Sequence, residues 1–497
     1  MISMTLQQIA TIVGGTLHDA LDPTVVITGG VEFDSRKVGA GDLFLALPGA
    51  RVDGHEHAAA AVAAGAVAVL GARPVGVPAI VVEPTPPTET PSNAMALEHD
   101  TDGSGAAVLT ALGKLARASV DALAAETGIT VVGVTGSSGK TSTKDLLAAV
   151  LSPLGSTIAP PGSFNNELGH PWTALRADES TRFLVLELSA RGPGHVRTLA
   201  EIAPPKIGVV LNVGTAHLGE FGSREVIAQT KGELVEALPS AADGGVAVLN
   251  ADDPLVVAMA PRTTARVVLV GQSDDADVKA VDVVLDGEAR ASFTLQSPAG
   301  TIPITLAVHG EHQVGNALSA AAVALECGAS LEQIAESLGT AHAASVRRMD
   351  VQSRADGVTV INDSYNANPD SMRAALKALV SMSRATDVPR RSWAVLGEMG
   401  ELGPDSVTEH DAIGRLAVRL AVSKLVVVGT GRPSHAMHQG AVMEGSWGDE
   451  AALVPDAAAA VDLLDQQVQP GDLVLVKASQ SIGLWVVADE LLSRKAT

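Results

Sequence analysis

The sequence predicts an α/β protein of three domains, the central one built on a doubly wound, mostly parallel sheet. Three observations lead there. The chain has 497 residues, room for three domains at about 150 residues each. Apolar runs of strand length alternate with stretches of helical spacing, the pattern of parallel sheets covered on both faces. One tract, around Pro84–Pro91 and His99–Gly105, is rich in Pro, Thr, Asp and Gly and has little to bury, which reads as a flexible linker. The expected division is 1–85, a linker at 86–107, then 108–345 and 346–497.

Each segment supplies its own elements. In the first, Thr5 precedes Leu6, Ile9 and Val13 at helical spacing, with Gly14 and Gly15 as a stop. Strands are expected at Asp42–Leu47, Val67–Leu70 and Ala79–Val82, around an alanine-rich helix at His57–Ala64. The second segment opens with a helix at Leu112–Ala125 and the strand Ile129–Val134. Apolar strands follow at Phe183–Leu188, Ile207–Val213, Val246–Leu249 and Val267–Val270. From Val278 to Leu306 apolar and polar residues alternate, as in antiparallel strands. A helix at Val314–Glu326 closes the segment. The third is a Rossmann-like succession. Its strands are expected at Val358–Ile361, Trp393–Leu396, Leu425–Val428 and Leu473–Val476, its helices at Pro369–Val380, His410–Leu420 and Ala457–Asp465.

Composition narrows the class further. Hydrophobic residues are 46% of the chain and aromatics 2%, so the core must be built from Ala, Val, Leu and Ile. The formal net charge is −22, from 34 Lys and Arg against 56 Asp and Glu. That argues against a nucleic-acid partner, because phosphate backbones are bound by clustered cations. One nucleotide is still allowed, since a local loop can override global charge. The single cysteine, Cys327, leaves no internal disulfide and reads as a small core residue. Met1–Gly15 lacks a basic region followed by an apolar run, and no apolar run reaches about 18 residues. The expectation is a cytoplasmic monomer without a membrane-inserted segment.

The sharpest local signal is Val131–Ser142, a buried strand that enters a glycine-rich turn and then a helix over Thr141–Leu151. Glycines let backbone N–H groups converge on phosphate oxygens, and the helix N-terminus adds partial positive charge. Lys140 can reach β and γ phosphates, and the Thr141 hydroxyl can bind Mg²⁺. The strict motif wants a small residue five before Gly139, where Val134 stands. Thr135-Gly136-Ser137-Ser138-Gly139-Lys140-Thr141, followed by Ser142, is therefore a shortened variant.

Glu187 and His217 follow apolar runs and so lie near strand C-terminal ends, where ligands bind in open α/β sheets. A carboxylate and a neutral imidazole there suit Mg²⁺ binding or proton transfer. Lys231 lies on Arg224–Leu238, a stretch of helical spacing, and by itself reads as a solvated helix face. Asn316, in His312–Asn316, has a helix N-cap as its plain alternative.

These residues together resemble the Mur ligase family over nearly the whole chain. The family's marks are the same shortened phosphate loop, a glutamate after a strand, an Asn-Val-x-x-x-His stretch and a lysine that becomes carbamylated. Further stretches fit the member that handles a dipeptide: Asn165–Gly169, Ala216–Ser223, Asp363–Met372 and Leu396–Gly403. Asp34–Arg36, Gly41–Gly49 and Asp53–His55 resemble an N-terminal UDP-binding domain.

The resemblance implies an ATP-dependent ligase that joins D-alanyl-D-alanine to a UDP-N-acetylmuramoyl-tripeptide in peptidoglycan precursor synthesis. Lys140, Glu187, His217 and Lys231 would be catalytic. Thr141, Glu187, His217 and carbamylated Lys231 would hold two Mg²⁺ ions. Asn316, Arg348 and Tyr365 would meet the nucleotide, with Arg347 an equal candidate to Arg348. Ser35 and Arg36 would meet the UDP part, and Asn165 and Asn166 the muramoyl substrate. An open form that closes by rotation of the C-terminal domain is expected.

Two departures stand out. The family's Lys-Gly-Ser-Arg-like stretch appears as Lys477-Ala-Ser-Gln480, and its Glu-Met-Gly as Glu187-Leu-Ser189. The alternatives are the preceding ligase, which adds a single amino acid such as meso-diaminopimelate, a non-catalytic nucleotide-binding homologue, and a generic P-loop kinase. The Asp-Asn-Pro-Arg common in the preceding ligase is missing here.

Overall fold

The computed structural model describes residues 1–49, 52–85, 97, 100–214, 218–385, 388–446 and 448–494. Its three large sheets follow one another along the chain. The first has five strands in the order Thr16–His18, Ala79–Val81, Ala68–Gly71, Leu43–Leu45 and Val31–Glu32, parallel except for the first pair. The helix Leu6–Val13 precedes it. A reciprocal capping box between Thr5 and Gln8 starts this helix, and Gly14 ends it at φ +75°.

The central sheet has nine strands. Thr130–Thr135 lies between Phe183–Glu187 and Ile207–Val210, all parallel. After Thr130–Thr135 the chain runs to the edge strand Thr157–Ile158, returns to Phe183–Glu187, then crosses to Ile207–Val210 and continues through Val246–Asn250 and Arg266–Gly271. The strand order thus reverses beside Thr130–Thr135, and a crevice opens at its C-terminal end. Val278–Leu285, Arg290–Ser297 and Gly300–His309 extend the sheet as the expected antiparallel meander.

One face of this sheet is covered by helices Lys140–Leu151 and Gln313–Glu326, whose Leu146, Leu147, Ala317 and Leu318 pack on Val132 and Val134. On the other face Leu112 and Leu115 pack with Leu184 and Leu186, and in the same cluster with Leu6, Ile9 and Leu43 of the N-terminal unit. The first two units therefore share one core through a single long helix.

That helix corrects the expected linker. Predicted at Leu112–Ala125, it runs over Ser104–Glu126, so 104–107 are helical rather than flexible. Asp102 Oδ1 accepts from Ser104 N at 3.0 Å and Asp100 Oδ2 from Ala106 N at 2.8 Å, which satisfies first-turn donors and lets the helix begin this early. Most of the remaining linker, 86–96 and 98–99, lies outside the described residues. A second correction falls on Arg224–Leu238, which is two helices, Arg224–Lys231 and Glu233–Glu236, meeting at Gly232.

The third sheet has six strands in the order Asp350–Ser353, Thr359–Asn362, Leu473–Lys477, Ser392–Leu396, Lys424–Val428 and Ala451–Val454, parallel except for the first pair. Its C-terminal strand ends face the phosphate loop. Arg348 Nη2 donates to Thr141 Oγ1 at 3.5 Å and Asn368 Nδ2 to Ser137 O at 3.4 Å. These contacts join the central and C-terminal units across the loop. Among the described residues no helix is long and apolar enough to cross a membrane.

Candidate active site

The site forms where the strand ends of the two larger sheets meet. Thr130–Thr135 delivers the phosphate loop and Gly139, at φ +84°, turns it into the helix Lys140–Leu151. The side chain of Asn212, two residues past Ile207–Val210, holds this loop. Its Oδ1 accepts from Ser137 N and Ser138 N, both at 3.0 Å, and its Nδ2 donates to Ser138 O at 3.2 Å. Asn212 begins the Asn-Val-x-x-x-His stretch, and this loop-holding role is not among those the sequence predicts. Two loop N–H groups converging on one oxygen is the geometry a phosphate oxygen uses. Thr135 is a buried strand residue whose hydroxyl donates to Leu188 O at 2.9 Å, so it braces the loop rather than lining it.

Lys140 donates to Gly136 O at 2.7 Å. Burial pulls its ammonium below the usual lysine range and Arg348 adds to this, while Glu187 and Glu401 oppose it. Glu187 ends its strand fully buried. Thr141 Oγ1 and Asn165 Nδ2 each donate to Glu187 Oε2 at 3.3 Å, whereas Oε1 has no hydrogen-bond partner among the described residues. Burial raises this carboxyl above the usual range, against the pull of Lys140, Lys144 and Arg348. An orphaned buried carboxylate oxygen beside a threonine hydroxyl is a fit place for a hard cation.

Lys231 closes the helix Arg224–Lys231 and is buried, not a solvated face. Burial, with Lys140 adding to it, holds its ammonium well below the lysine range. His217 lies outside the described residues. Among the described ones no three His, Cys, Asp or Glu side chains form a metal cluster, and Glu187 and Thr141 are the described oxygen donors that meet here.

A recess continues from the loop. A cavity of about 120 Å³ is lined by Gly139, His312, Asn316, Arg348 and Asp363, and an adjoining one of about 240 Å³ by Ser142, Gln313, His342 and Arg348. Asn316 lies inside the first turn of its helix, where His312 is the cap, so the capping alternative fails. A Cβ on Gly139 would stand 2.7 Å from Asn316 Oδ1, which ties the loop's backbone to that asparagine.

The structure separates the two arginines. Arg348 stacks on Tyr365 at 4.4 Å and reaches Thr141, while Arg347 turns away onto Trp485 at 4.5 Å. Arg347 at φ +60° and Met349 at φ +49° bracket this turn, a conformation that side-chain-bearing residues seldom adopt. Lys477, in the departing Lys477–Gln480 stretch, is buried and donates to Asp363 Oδ2 at 2.6 Å and Asn366 O at 2.8 Å. It fixes the loop beside the recess, and Gln480 is exposed.

The substrate-side candidates divide. Asn165 touches Glu187 and Ser163. The Asn166 side-chain oxygen Oδ1 accepts from Leu168 N and Gly169 N at 3.3 and 2.9 Å, a turn role. Arg36 is largely exposed and pairs with Asp34 at 2.8 Å. Neither Ser35 nor Arg36 reaches the phosphate loop among the described contacts. Their loop approaches through Phe33, edge-on to Trp172 at 5.7 Å, while Trp172 Nε1 donates to Val31 O at 2.8 Å.

Comparison with known proteins places this architecture. Residues 28–118 match the Mur ligase family catalytic domain, 134–324 the Mur ligase middle domain and 347–480 the Mur ligase glutamate ligase domain. A Mycobacterium tuberculosis relative, named UDP-N-acetylmuramoyl-tripeptide–D-alanyl-D-alanine ligase, is 61% identical over 99% of this chain and 98% of its own. A crystal structure of MurF from Acinetobacter baumannii superposes with a TM-score of 0.81 at 30% identity, covering 99% of both chains. A MurF ligase from Thermotoga maritima, solved in complex with ADP, superposes at 0.74 with 28% identity over 93% of this chain and 97% of its own. With the shortened loop, the buried glutamate and lysine, and all three domains matched in order, the chain belongs to the Mur ligase family.

Proposed function

We propose that this chain ligates D-alanyl-D-alanine to UDP-N-acetylmuramoyl-tripeptide with consumption of ATP. One observation carries the chemistry: Lys140, Thr141 and Glu187 from the central sheet meet Arg348 from the C-terminal unit at facing strand ends. The terminal carboxylate of the tripeptide attacks the γ-phosphorus of ATP, and the bond to ADP breaks. The dipeptide amine, its extra proton shed, then attacks the acyl carbon of the acyl phosphate. Collapse of the tetrahedral species expels phosphate and leaves the amide. No covalent bond to the protein is needed, so positioning and charge neutralisation supply the rate.

Each residue has a task in that scheme. Lys140 and the loop N–H groups hold the β and γ phosphates. Arg348, stacked on Tyr365, brings a second cation from the C-terminal unit when the domains are docked. Asn316 and the recess beside it take the nucleoside. Asn165 orients Glu187 and faces the acyl donor. Thr141, Glu187, His217 and carbamylated Lys231 are the residues that would hold Mg²⁺, whose contribution is to neutralise charge on the phosphates and the reacting carboxylate. A lysine buried without its proton is the state that adds carbon dioxide, and the resulting carbamate is an anion. The UDP end is assigned to the Ser35–Arg36 loop, Asn166 acting by shaping the adjoining turn.

The dipeptide reading is favoured over the preceding ligase by the relatives' names, by the Leu396–Gly403 stretch and by the missing Asp-Asn-Pro-Arg. Phosphate release from ATP should require UDP-muramoyl tripeptide and D-alanyl-D-alanine together, with a product heavier by the dipeptide less water. Release only with UDP-muramoyl dipeptide and meso-diaminopimelate would move the chain one step earlier.

A further inference from the structure

Arg191 and Glu401 meet across the crevice between the central and C-terminal units. Arg191 follows Glu187 on the loop leaving the strand Phe183–Glu187, and Glu401 lies on the loop leaving Ser392–Leu396. Arg191 Nη2 donates to Glu401 Oε1 at 2.6 Å, and the side chains are 28% and 38% exposed. Glu401 sits at φ +62°, a backbone state a residue with a Cβ seldom adopts without a reason. Its charge is felt at Lys140, so it lies within the field of the phosphate site.

Holding the domains together is a weak explanation for this pair. Partly exposed ion pairs contribute little to stability. Backbone contact nearby already brings the units together: Gly219 approaches Gly403 so closely that a Cβ would stand 2.6 Å from its Cα. Among the described residues, several other carboxylates at these strand ends have partners within their own units. Glu187 accepts from Thr141 and Asn165. Asp363 pairs with Lys477, Asp370 with Arg373, and Glu398 accepts from Ser434.

The acceptor must bring a free amine to the acyl phosphate, and it arrives as a zwitterion with an ammonium and a carboxylate one dipeptide apart. On the proposed function above, we infer that Glu401 and Arg191 are its recognition pair. Glu401 takes the ammonium, Arg191 takes the carboxylate, and their mutual ion pair opens to admit the dipeptide. One cation and one anion, contributed by two units across the catalytic crevice, match the charges of this ligand.

The test measures KM separately for D-alanyl-D-alanine, ATP and the UDP-tripeptide. Wild type is assayed first; failure to ligate the dipeptide would sink the function itself, not this assignment. In Glu401→Gln the dipeptide KM should rise about tenfold or more, the scale of a lost charge-assisted hydrogen bond, with the other two KM values unmoved. Glu401→Asp should recover part of the loss. For Arg191 the probe is D-alanyl-D-alanine amide. Wild type should discriminate against this uncharged terminus, and Arg191→Met should accept amide and free acid alike. Equal losses for all three substrates would mean a domain latch, and a loss confined to the UDP-tripeptide would assign the pair to the donor; either overturns the inference.

Discussion

Lys231 is a buried amine whose ammonium is disfavoured first by burial and then by Lys140. On the proposed function, the neutral amine present above its lowered pKa would add carbon dioxide, and acidification would protonate it and reverse the addition. Protein equilibrated with ¹³C-bicarbonate should therefore show one carbamate resonance that Lys231→Ala lacks. The same variant should lose about 10²–10³-fold in kcat, as when one preorganised electrostatic group is removed. Glu187 titrates in the opposite sense, its carboxyl raised above the ordinary 4.5 by burial. On the proposed Mg²⁺ role of Glu187, protons compete with the ion for the carboxylate, so the apparent Mg²⁺ dissociation constant should climb as pH falls through that raised value, earlier than for an ordinary glutamate. Glu187→Gln should abolish that dependence along with most activity. At this scale the sequence shows the chemistry-bearing types but not their state. Lys231 reads as a solvated helix residue until the fold buries it, and Arg347 and Arg348 are equivalent until two left-handed residues turn them onto different aromatic rings.

The helix Pro369–Ser383 shows how an element serves both the fold and the site. Asn368 caps it through Ser371 N at 2.8 Å, and Ser371 Oγ accepts from Asn368 N at 3.0 Å in return. The Asn368 amide also donates to Ser137 O in the phosphate loop. Asn368→Ala should cost about 1 kcal/mol of stability, the usual worth of an N-cap, and should also raise KM for ATP. Denaturant unfolding and steady-state kinetics on one variant check both parts; a stability loss with unchanged KM would make the interdomain contact incidental. Elements of this kind are readable in sequence because caps, periodicity and glycine turns act over a few residues. The strands at Thr130–Thr135, Phe183–Glu187 and Ile207–Val210 fall where their apolar runs predict. The two-residue edge strand Thr157–Ile158 has no such run, and pairing with a longer neighbour defines it.

In the whole molecule the active site is a property of docking. Gly219 lies against the Gly403 backbone across the two units, and any side chain there must push them apart. Gly219→Ala should leave the unfolding midpoint nearly unchanged and reduce kcat strongly. Solution scattering with ATP and UDP-tripeptide should show a more extended particle than wild type; superimposable profiles would remove docking as the cause. The sequence by itself determined the α/β class, the phosphate loop, the strand-end glutamate and the three-unit succession, because these are written in local spacing and turn chemistry. Only the tertiary structure decided the strand order that places Glu187 beside Thr141, the shared core that joins the first two units, the choice of Arg348 over Arg347, and the meeting of Arg191 with Glu401. Those depend on contacts between segments far apart in the chain, and side-chain burial and backbone approach at such contacts are set by packing that no local pattern encodes.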